Sequence, residues 1–283
     1  MRSCQQIHEL RQILNPIRTS KLKIALVATM GNLHQGHLQL IKTAREYADV
    51  VVVSLFVNPL QFGPHDDFDC YPRTLQADQK KLVDLDVEVL FLPTEEVMYP
   101  QGRPLAVSLQ ANSLGHRLCG EYRPELFHGA VTIVAKLLNC VQPDIAVFGE
   151  KDYQQLLIMQ QLVTDLNFPV RIVPVAITRE KDGLAMSSRN QYLTPEQRHI
   201  APQLVETLKT LATKIQHGDK DYQKLSQEGL QNLSQVGFMP QYLEVLHADT
   251  LQPATPHDNN LRILIAARLG DTQLIDNISC RLD

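Results

Sequence analysis

The chain has 283 residues and a formal net charge of −4, and 44% of its residues are hydrophobic while 20% are charged. These values are typical of a globular protein with one large or two modest domains and a real core. The sequence has no block of basic residues, which disfavours a nucleic-acid partner. The longest apolar run, residues 50–57, is too short to span a bilayer, so we also expect no membrane partner.

The cysteines and the N-terminal segment indicate the cytoplasm. Residues 1–18 are too polar for the apolar part of a secretory signal. The five cysteines are odd in number, scattered, and free of any Cys-x-x-Cys pair, which is typical of reduced thiols. They are Cys4, Cys70, Cys119, Cys140 and Cys280. We therefore expect a cytoplasmic protein.

Short apolar runs alternate with helical patterns along the first 177 residues. The runs predict strands at residues 22–28, 50–57, 87–92, 145–148 and 170–177. The periodicity between them predicts helices at residues 36–47, 74–84, 129–138 and 152–167. This alternation is typical of an α/β, Rossmann-like, doubly wound parallel sheet whose strands are buried on both faces. Ligands bind beyond the carboxyl ends of such strands, so we expect the polar loops after Ala28, Val57, Phe148 and Ile177 to converge on one crevice.

The pattern changes after residue 177. Residues 178–189 are polar and loop-like, and Thr194-Pro195 then begins a helix with a capping box and proline at its first position. Helices are predicted at residues 195–216 and 222–236, and short strands at residues 242–247, 262–268 and 273–278. We therefore expect two domains, residues 1–177 and a smaller α+β lid domain at residues 178–283.

The turn after the first predicted strand contains two histidines three residues apart, His34 and His37, beside Gly31 and Gly36. Open N–H groups in the first turn of a helix, together with the helix dipole, favour a bound anion. Glycine allows the backbone to approach a ligand closely. We expect a nucleotide phosphate site in which both imidazoles donate to phosphate oxygens, an electrostatic role rather than base catalysis.

Other polar groups follow the later strands. Gln61, in the turn after the second strand, is a candidate to hold a hydroxyl or carboxylate of a small substrate. Lys151 offers a cation beside the phosphates, and Gln155 lies one helical turn further on. The hydroxyls and guanidinium of residues 187–189 suit a triphosphate, and this junction loop would close over bound nucleotide. The acidic residues Asp66, Asp67, Asp69 and Asp78 are either Mg²⁺ ligands or a solvated loop.

Several motifs together resemble the pantothenate synthetase family, within the His-x-Gly-His nucleotidyltransferases. They are TMGNLHQGH at residues 29–37, FVNPLQF at 56–62, YPRTL at 71–75, QPDIAVFGEKDYQQL at 142–156, DGLAMSSRNQYL at 182–193 and AARLGDTQLIDN at 266–277. The resemblance implies ATP-driven condensation of (R)-pantoate with β-alanine through an acyl adenylate, giving pantothenate, AMP and pyrophosphate. It also implies Mg²⁺ with the ATP, and a homodimer.

The resemblance assigns roles at matching positions. It implies catalytic roles for His34, His37, Lys151 and Arg189, with His37 as a proton donor, although phosphate stabilisation is the physical role we expect. Gln61 and Gln155 would bind pantoate, Gln61 also β-alanine, and Asp78 would lie on the metal side. The residues expected to bind ATP are Met30, Gly31, Asn32, Leu33, His34, Gln35, Gly36, His37, Gly149, Glu150, Lys151, Asp152, Thr178, Met186, Ser187, Ser188 and Arg189.

Two positions depart from the family pattern. Ala28 stands where proline is usual, and Leu126 stands where a histidine is expected near the substrate pocket. Other readings stay open beside the ligase. They are a nucleotidyltransferase that keeps the nucleotide in its product, and a non-catalytic ATP sensor, because a fold does not fix a function. A relative of the aminoacyl-tRNA synthetases is disfavoured because no basic RNA-binding appendage is present.

Overall fold

A parallel six-stranded sheet organises the first part of the chain. We describe the protein from a computed structural model that covers residues 1–64, 66–103, 105 and 107–282. The strands lie in the order β1-β4-β3-β2-β5-β6, and neighbouring strands are parallel. Their bounds are β1 (Arg2–Cys4), β2 (Ile24–Thr29), β3 (Val50–Leu55), β4 (Val89–Phe91), β5 (Ile145–Gly149) and β6 (Arg171–Val175). This sheet confirms the predicted α/β fold class.

Helices connect these strands. They are α1 (Ile7–Thr19), α2 (Gln35–Tyr47), α3 (Leu75–Asp84), α4 (Glu95–Met98), α5 (Asn112–Gly115), α6 (Cys119–Tyr122), α7 (Pro124–Val141) and α8 (Tyr153–Asp165), with short 3-10 turns at Pro59–Gln61 and Glu150–Asp152. Helix α7 begins at Pro124 rather than at residue 129, because proline suits the first helical position. Strand β1 and helix α1 were not predicted.

An antiparallel three-stranded sheet organises the last part of the chain. Its strands, in the order β7-β8-β9, are β7 (Phe238–His247), β8 (Asn260–Leu269) and β9 (Thr272–Arg281). The helices here are α9 (Pro195–Ile200), α10 (Gln203–Gln216) and α11 (Tyr222–Gln235). The single helix predicted at residues 195–216 is interrupted between α9 and α10. Pro202 lies at that break and lacks the N–H that a continuous helix would use.

The chain divides into two compact units, each with its own core. The first unit comprises Met1–Glu150 and Gln155–Ala176, and the second comprises Lys151–Gln154 and Ile177–Asp283. In the first, Val27 and Val53 of the sheet pack with Ile41 of α2 and Leu82 of α3. In the second, the core joins side chains of α10, α11 and the antiparallel sheet.

The order of strands places a reversal at the centre of the parallel sheet. Strand β2 lies between β3 and β5, and the chain builds β3 and β4 on one side of it before it reaches β5 on the other. In open parallel sheets this reversal is the usual ligand position. Among the described residues, each helix is too short or too polar to cross a lipid bilayer.

Candidate active site

The loop between β2 and α2 has an unusual backbone that its neighbours hold in place. Gly31 and Asn32 both have positive φ angles, +86° and +50°. The Thr29 hydroxyl accepts a hydrogen bond from Gly31 N at 3.2 Å and donates to Ser54 O at 3.1 Å. Glycine adopts positive φ without strain, whereas the same conformation at Asn32 is less common and needs local support.

The two histidines of this loop are oriented by hydrogen bonds to backbone N–H groups. His34 is the N-cap of α2, and its Nδ1 accepts from Gly36 N at 3.1 Å. The Nδ1 of His37 accepts from His34 N at 3.3 Å, and the two ring centroids are 4.1 Å apart. A backbone N–H can only donate, so in each neutral ring the proton lies on Nε2. Both imidazoles therefore present Nε2 as a hydrogen-bond donor.

Hydrogen bonds within the protein already occupy several backbone amides around this helix start. The N–H groups of Gly31, Asn32 and Leu33 donate to Thr29 and Asp78, and those of His34 and Gly36 donate to the two imidazoles. An N–H already bonded within the protein is not available to a phosphate. These bonds occupy the backbone N–H groups of five residues between Gly31 and Gly36.

Gln61 lies in the 3-10 turn that follows β3, and Asn58 fixes the orientation of its side chain. Asn58 is 1% exposed, and its Nδ2 donates to Gly129 O at 3.1 Å and to Gln61 Oε1 at 2.9 Å. Its Oδ1 accepts from Leu60 N and from the Tyr99 hydroxyl at 2.6 Å. The Leu60 N–H and the Gly129 carbonyl leave no choice of amide orientation for Asn58. The Oε1 of Gln61 therefore faces Asn58, and its NH₂ group lies on the other side of the amide.

The N-terminal part of α7 supports the same turn. A methyl group added at Gly129 would lie 2.2 Å from Leu60 O, so only glycine fits between helix and turn. Arg123 donates to Gln61 O at 3.3 Å and forms an ion pair with Asp66 at 2.9 Å. Asp66 is therefore paired with Arg123. This contact does not support the prediction that Asp66 binds a metal ion.

The departure at Leu126 lies on this helix. Leu126 is half-buried, whereas its neighbour Phe127 is 3% exposed. The Nδ1 of His128 lies 2.8 Å from Leu109 O. The imidazole of His128 is therefore engaged with the backbone at residue 109.

Asp78 does not fit the predicted metal role. It is 1% exposed, and its Oδ1 accepts from Leu33 N at 2.8 Å, while Oδ2 accepts from Asn32 N at 2.8 Å and from the Thr74 hydroxyl at 3.1 Å. Mg²⁺ keeps several water ligands and binds through accessible carboxylate oxygens. Within residues 1–64, 66–103, 105 and 107–282, no group of three or more His, Cys, Asp or Glu could hold a metal ion.

Three adjacent strand ends gather the candidate residues of the first unit. Strand β2 leads to His34 and His37, β3 leads to Gln61, and β5 ends at Gly149. The register pairs Thr29 with Leu55, so β2 and β3 end side by side. The segments with His34, His37 and Gln61 therefore follow neighbouring strand ends at the strand reversal, where a ligand is expected. Gln155 lies in the first turn of α8.

In the second unit, Asn277 holds the backbone of Lys151. The Nδ2 of Asn277 donates to Lys151 O at 3.0 Å, and its Oδ1 accepts from Arg262 Nε at 2.7 Å. The preceding residue, Asp276, forms a two-point ion pair with Arg179 at 2.6 and 2.9 Å. Strand β9 thereby anchors both the Lys151 segment and the residue after Thr178.

Residues 178–189 are more regular than the predicted loop. Met186 N donates to Thr178 O at 3.0 Å, and Arg179 and Ala185 form an antiparallel bridge. Ser187 caps the 3-10 turn Ser188–Tyr192 by accepting from Arg189 N at 3.2 Å. Polar side chains here form hydrogen bonds with the local backbone. The sequence pattern alone cannot distinguish such an ordered segment from a solvated loop.

Several residues that hold the candidate segments in place make contacts that are distant along the chain. Tyr99, Arg123, Asp276 and Asn277 act through partners that are between 41 and 126 residues away along the chain. The dipeptide at 276–277 lies inside a family-like motif, which is the one signal that could have found it.

Comparison with known proteins shows the family of this chain. Residues 2–279 match the pantoate-beta-alanine ligase family. The chain belongs to the pantoate-beta-alanine ligase family. A pantothenate synthetase of Pseudomonas putida KT2440 is 49% identical over 283 residues, which are 100% of this chain and 99% of that protein. One of Azotobacter vinelandii is 50% identical over 279 residues, 99% of each chain.

Solved structures of this ligase family have the same fold. The pantothenate synthetase of Thermus thermophilus is 42% identical, with a TM-score of 0.91 over 98% of this chain and 99% of that chain. The ligase of Francisella tularensis, complexed with beta-gamma ATP and beta-alanine, is 36% identical, with a TM-score of 0.83 over 98% of this chain and 97% of that chain. The protein is accordingly an ATP-dependent ligase whose reaction is that of its family, the joining of (R)-pantoate to β-alanine.

Proposed function

We propose that this ligase forms pantoyl adenylate at the strand reversal, with His34 and His37 stabilising the phosphates. A pantoate carboxylate oxygen attacks the α-phosphorus of ATP, and the bond from that phosphorus to the pyrophosphate oxygen breaks. Negative charge grows on the phosphate oxygens during this step. Donors aimed at growing charge lower the barrier strongly. The observation that carries the proposal is that the Nδ1 of each ring accepts from a backbone N–H, so the proton of each neutral imidazole is on Nε2.

Gln61 and Gln155 are proposed to hold pantoate, with Gln61 also near β-alanine. The fixed NH₂ of Gln61 is suited to a carboxylate or hydroxyl oxygen and not to an ammonium group. In the second step the β-alanine amine attacks the acyl carbon, AMP leaves with the bonding electrons, and the amine loses a proton. Both steps depend mainly on positioning.

The remaining nucleotide contacts are proposed from the resemblance and the local chemistry. Met30 to His37, Gly149 to Asp152, Thr178 and Met186 to Arg189 contact ATP in this proposal. Lys151 and Arg189 supply positive charge for the departing pyrophosphate, and a guanidinium suits bidentate contact with phosphate. Lys151 is half-buried and its carbonyl is held by Asn277, so its backbone position is defined.

Three further properties belong to the same proposal. Mg²⁺ enters as part of MgATP, the substrate, where it neutralises phosphate charge. The protein acts in the cytoplasm, consistent with five free cysteines. It works as a homodimer, which sedimentation velocity measures directly.

The proposed reaction is tested by incubating purified protein with MgATP, (R)-pantoate and β-alanine, omitting each in turn, and following AMP and pantothenate by mass spectrometry. Equal amounts of both products, dependent on all three substrates, are expected. A product that retains the nucleotide would instead support the nucleotidyltransferase alternative. ATP binding without AMP release would support a sensor.

A further inference from the structure

Three side chains around helix α3 hold the backbone that immediately precedes His34. The Asp78 carboxylate accepts from Asn32 N and Leu33 N, both at 2.8 Å. Thr74 donates to that carboxylate at 3.1 Å, and Lys81 Nζ donates to Leu33 O at 2.6 Å. The peptide groups on both sides of Leu33 are therefore fixed from one helix.

The contacts and the burial of Asp78 exclude a role for its carboxylate in binding a cation. Three of the roughly four lone-pair positions of a carboxylate are used by Asn32, Leu33 and Thr74. The side chain is buried, so a hydrated cation has no approach to it. A methyl group at Gly31 would lie 3.3 Å from Asp78 Oδ2, which shows how closely the loop is packed on the carboxylate.

We propose that Asp78, with Thr74 and Lys81, is a positioning residue that sets the start of α2 and hence the direction of the two Nε2 donors. This inference rests on the proposed function of His34 and His37. Asn32 has a positive φ that a free loop would rarely keep, and the anion of Asp78 binds two consecutive N–H groups in that conformation. Relaxation of this loop would move both rings relative to the phosphates.

The kinetic test uses Asp78→Asn, whose amide places an N–H₂ group against a backbone N–H. We expect kcat for pantoyl adenylate formation to fall about 100-fold, the loss typical of a catalytic group misplaced by an ångström. The Mg²⁺ concentration that gives half-maximal rate should stay within about twofold of wild type, because the metal is not bound here. Thr74→Val removes one contact and should lower kcat about tenfold. If Asp78→Asn does not fold, Thr74→Val tests the proposal in its place.

A double-mutant cycle shows whether Asp78 acts through the histidines. In a His37→Ala background, Asp78→Asn should cost only about threefold more, since residues that act as one unit are not additive. The exposed Asp84, at the other end of α3, provides the matched control Asp84→Asn. That control should behave as wild type.

An activity-independent readout is amide hydrogen exchange of residues 31–34. We expect faster exchange at Asn32 and Leu33 in Asp78→Asn and unchanged exchange in Asp84→Asn. A Mg²⁺ requirement raised tenfold or more, a full additive loss in the double mutant, or unchanged exchange would each overturn the proposal. A wild type that makes no pantothenate would overturn the proposed function instead, and the exchange comparison would still test the contact.

Discussion

The Asn58 side chain donates to Gln61 Oε1 at 2.9 Å, and through this bond a buried residue fixes the orientation of the Gln61 amide. Asn58 is itself held by the Gly129 carbonyl and by the Tyr99 hydroxyl. Burial raises the pKa of Tyr99 above its ordinary value, so the hydroxyl stays protonated and donates at neutral pH. The Gln61 amide, which we propose binds pantoate, is thus the outermost member of this chain of hydrogen bonds.

Gln61→Glu keeps the shape of the side chain and replaces its NH₂ group with a carboxylate oxygen. We expect KM for pantoate to rise at least about tenfold, because losing a hydrogen bond to a charged group costs about 1.5–3 kcal/mol and repulsion adds to it. The KM for ATP should change little. Gln76→Glu, at an exposed position of α3, is the control. Equal KM values for pantoate in Gln61→Glu and wild type would contradict the orientation that we assign to Gln61.

Gly129→Ala should disturb the turn that carries Gln61. The added methyl would lie 2.2 Å from Leu60 O, and backbone atoms cannot move aside as a flexible side chain can. We expect the free energy of unfolding to fall by about 3 kcal/mol, at the upper end for overpacking, together with weaker pantoate binding. Gly63→Ala is the control, since its methyl would lie 3.7 Å from Asp66 Oδ2. Chemical denaturation and isothermal titration measure the two effects, and a Gly129→Ala protein as stable as Gly63→Ala would contradict this packing.

The fold follows from the sequence where apolar runs are long. The sequence of β3, VVVVSL, predicts a buried strand, and the apolar runs of its neighbours β2 and β5 predict buried strands for the same reason. β1 has three residues, and pairing with β4 rather than local composition makes it a strand. The sequence predicts that His34 and Gln61 follow strand ends. It does not predict the partners that orient these side chains. Asp78 shows the limit most clearly, because an acidic side chain near a nucleotide motif suggests a metal until its bonds to residues 32 and 33 are seen.

Asp276→Asn should destabilise the second unit. Asp276 has a side chain that is 1% exposed, and it holds the guanidinium of Arg179, which is 25% exposed. Breaking a buried ion pair by removing one partner typically costs 3–5 kcal/mol, and we expect about 3 kcal/mol because Arg179 retains some water contact. Asp271→Asn, in the exposed turn before β9, should have no measurable effect. Urea denaturation of both variants tests this, and equal stabilities would mean that the ion pair contributes nothing.

The stability of the protein should fall at alkaline pH in part because of Cys4. Burial raises the pKa of this thiol from 9.0 to about 11. A group whose pKa is raised by folding contributes stability that is complete below its unfolded pKa and is lost as the pH rises through its folded pKa. Cys4→Ala should therefore reduce the decline of unfolding free energy between pH 9 and 11. Cys70→Ala, at an exposed cysteine, should keep the wild-type decline. An identical decline in Cys4→Ala would refute the role of this thiol.

The most direct measurement is single-turnover formation of pantoyl adenylate, without β-alanine, in wild type, His37→Ala and His37→Gln. Glutamine can place an N–H donor near the position of Nε2 but cannot transfer a proton at neutral pH. Removing a donor aimed at growing charge typically costs about 100- to 1000-fold, which we expect for His37→Ala. His37→Gln should recover at least about tenfold of that loss, since each 1.4 kcal/mol regained is a factor of ten. A His37→Gln rate as low as that of His37→Ala would contradict phosphate stabilisation and indicate that His37 acts by transferring its proton.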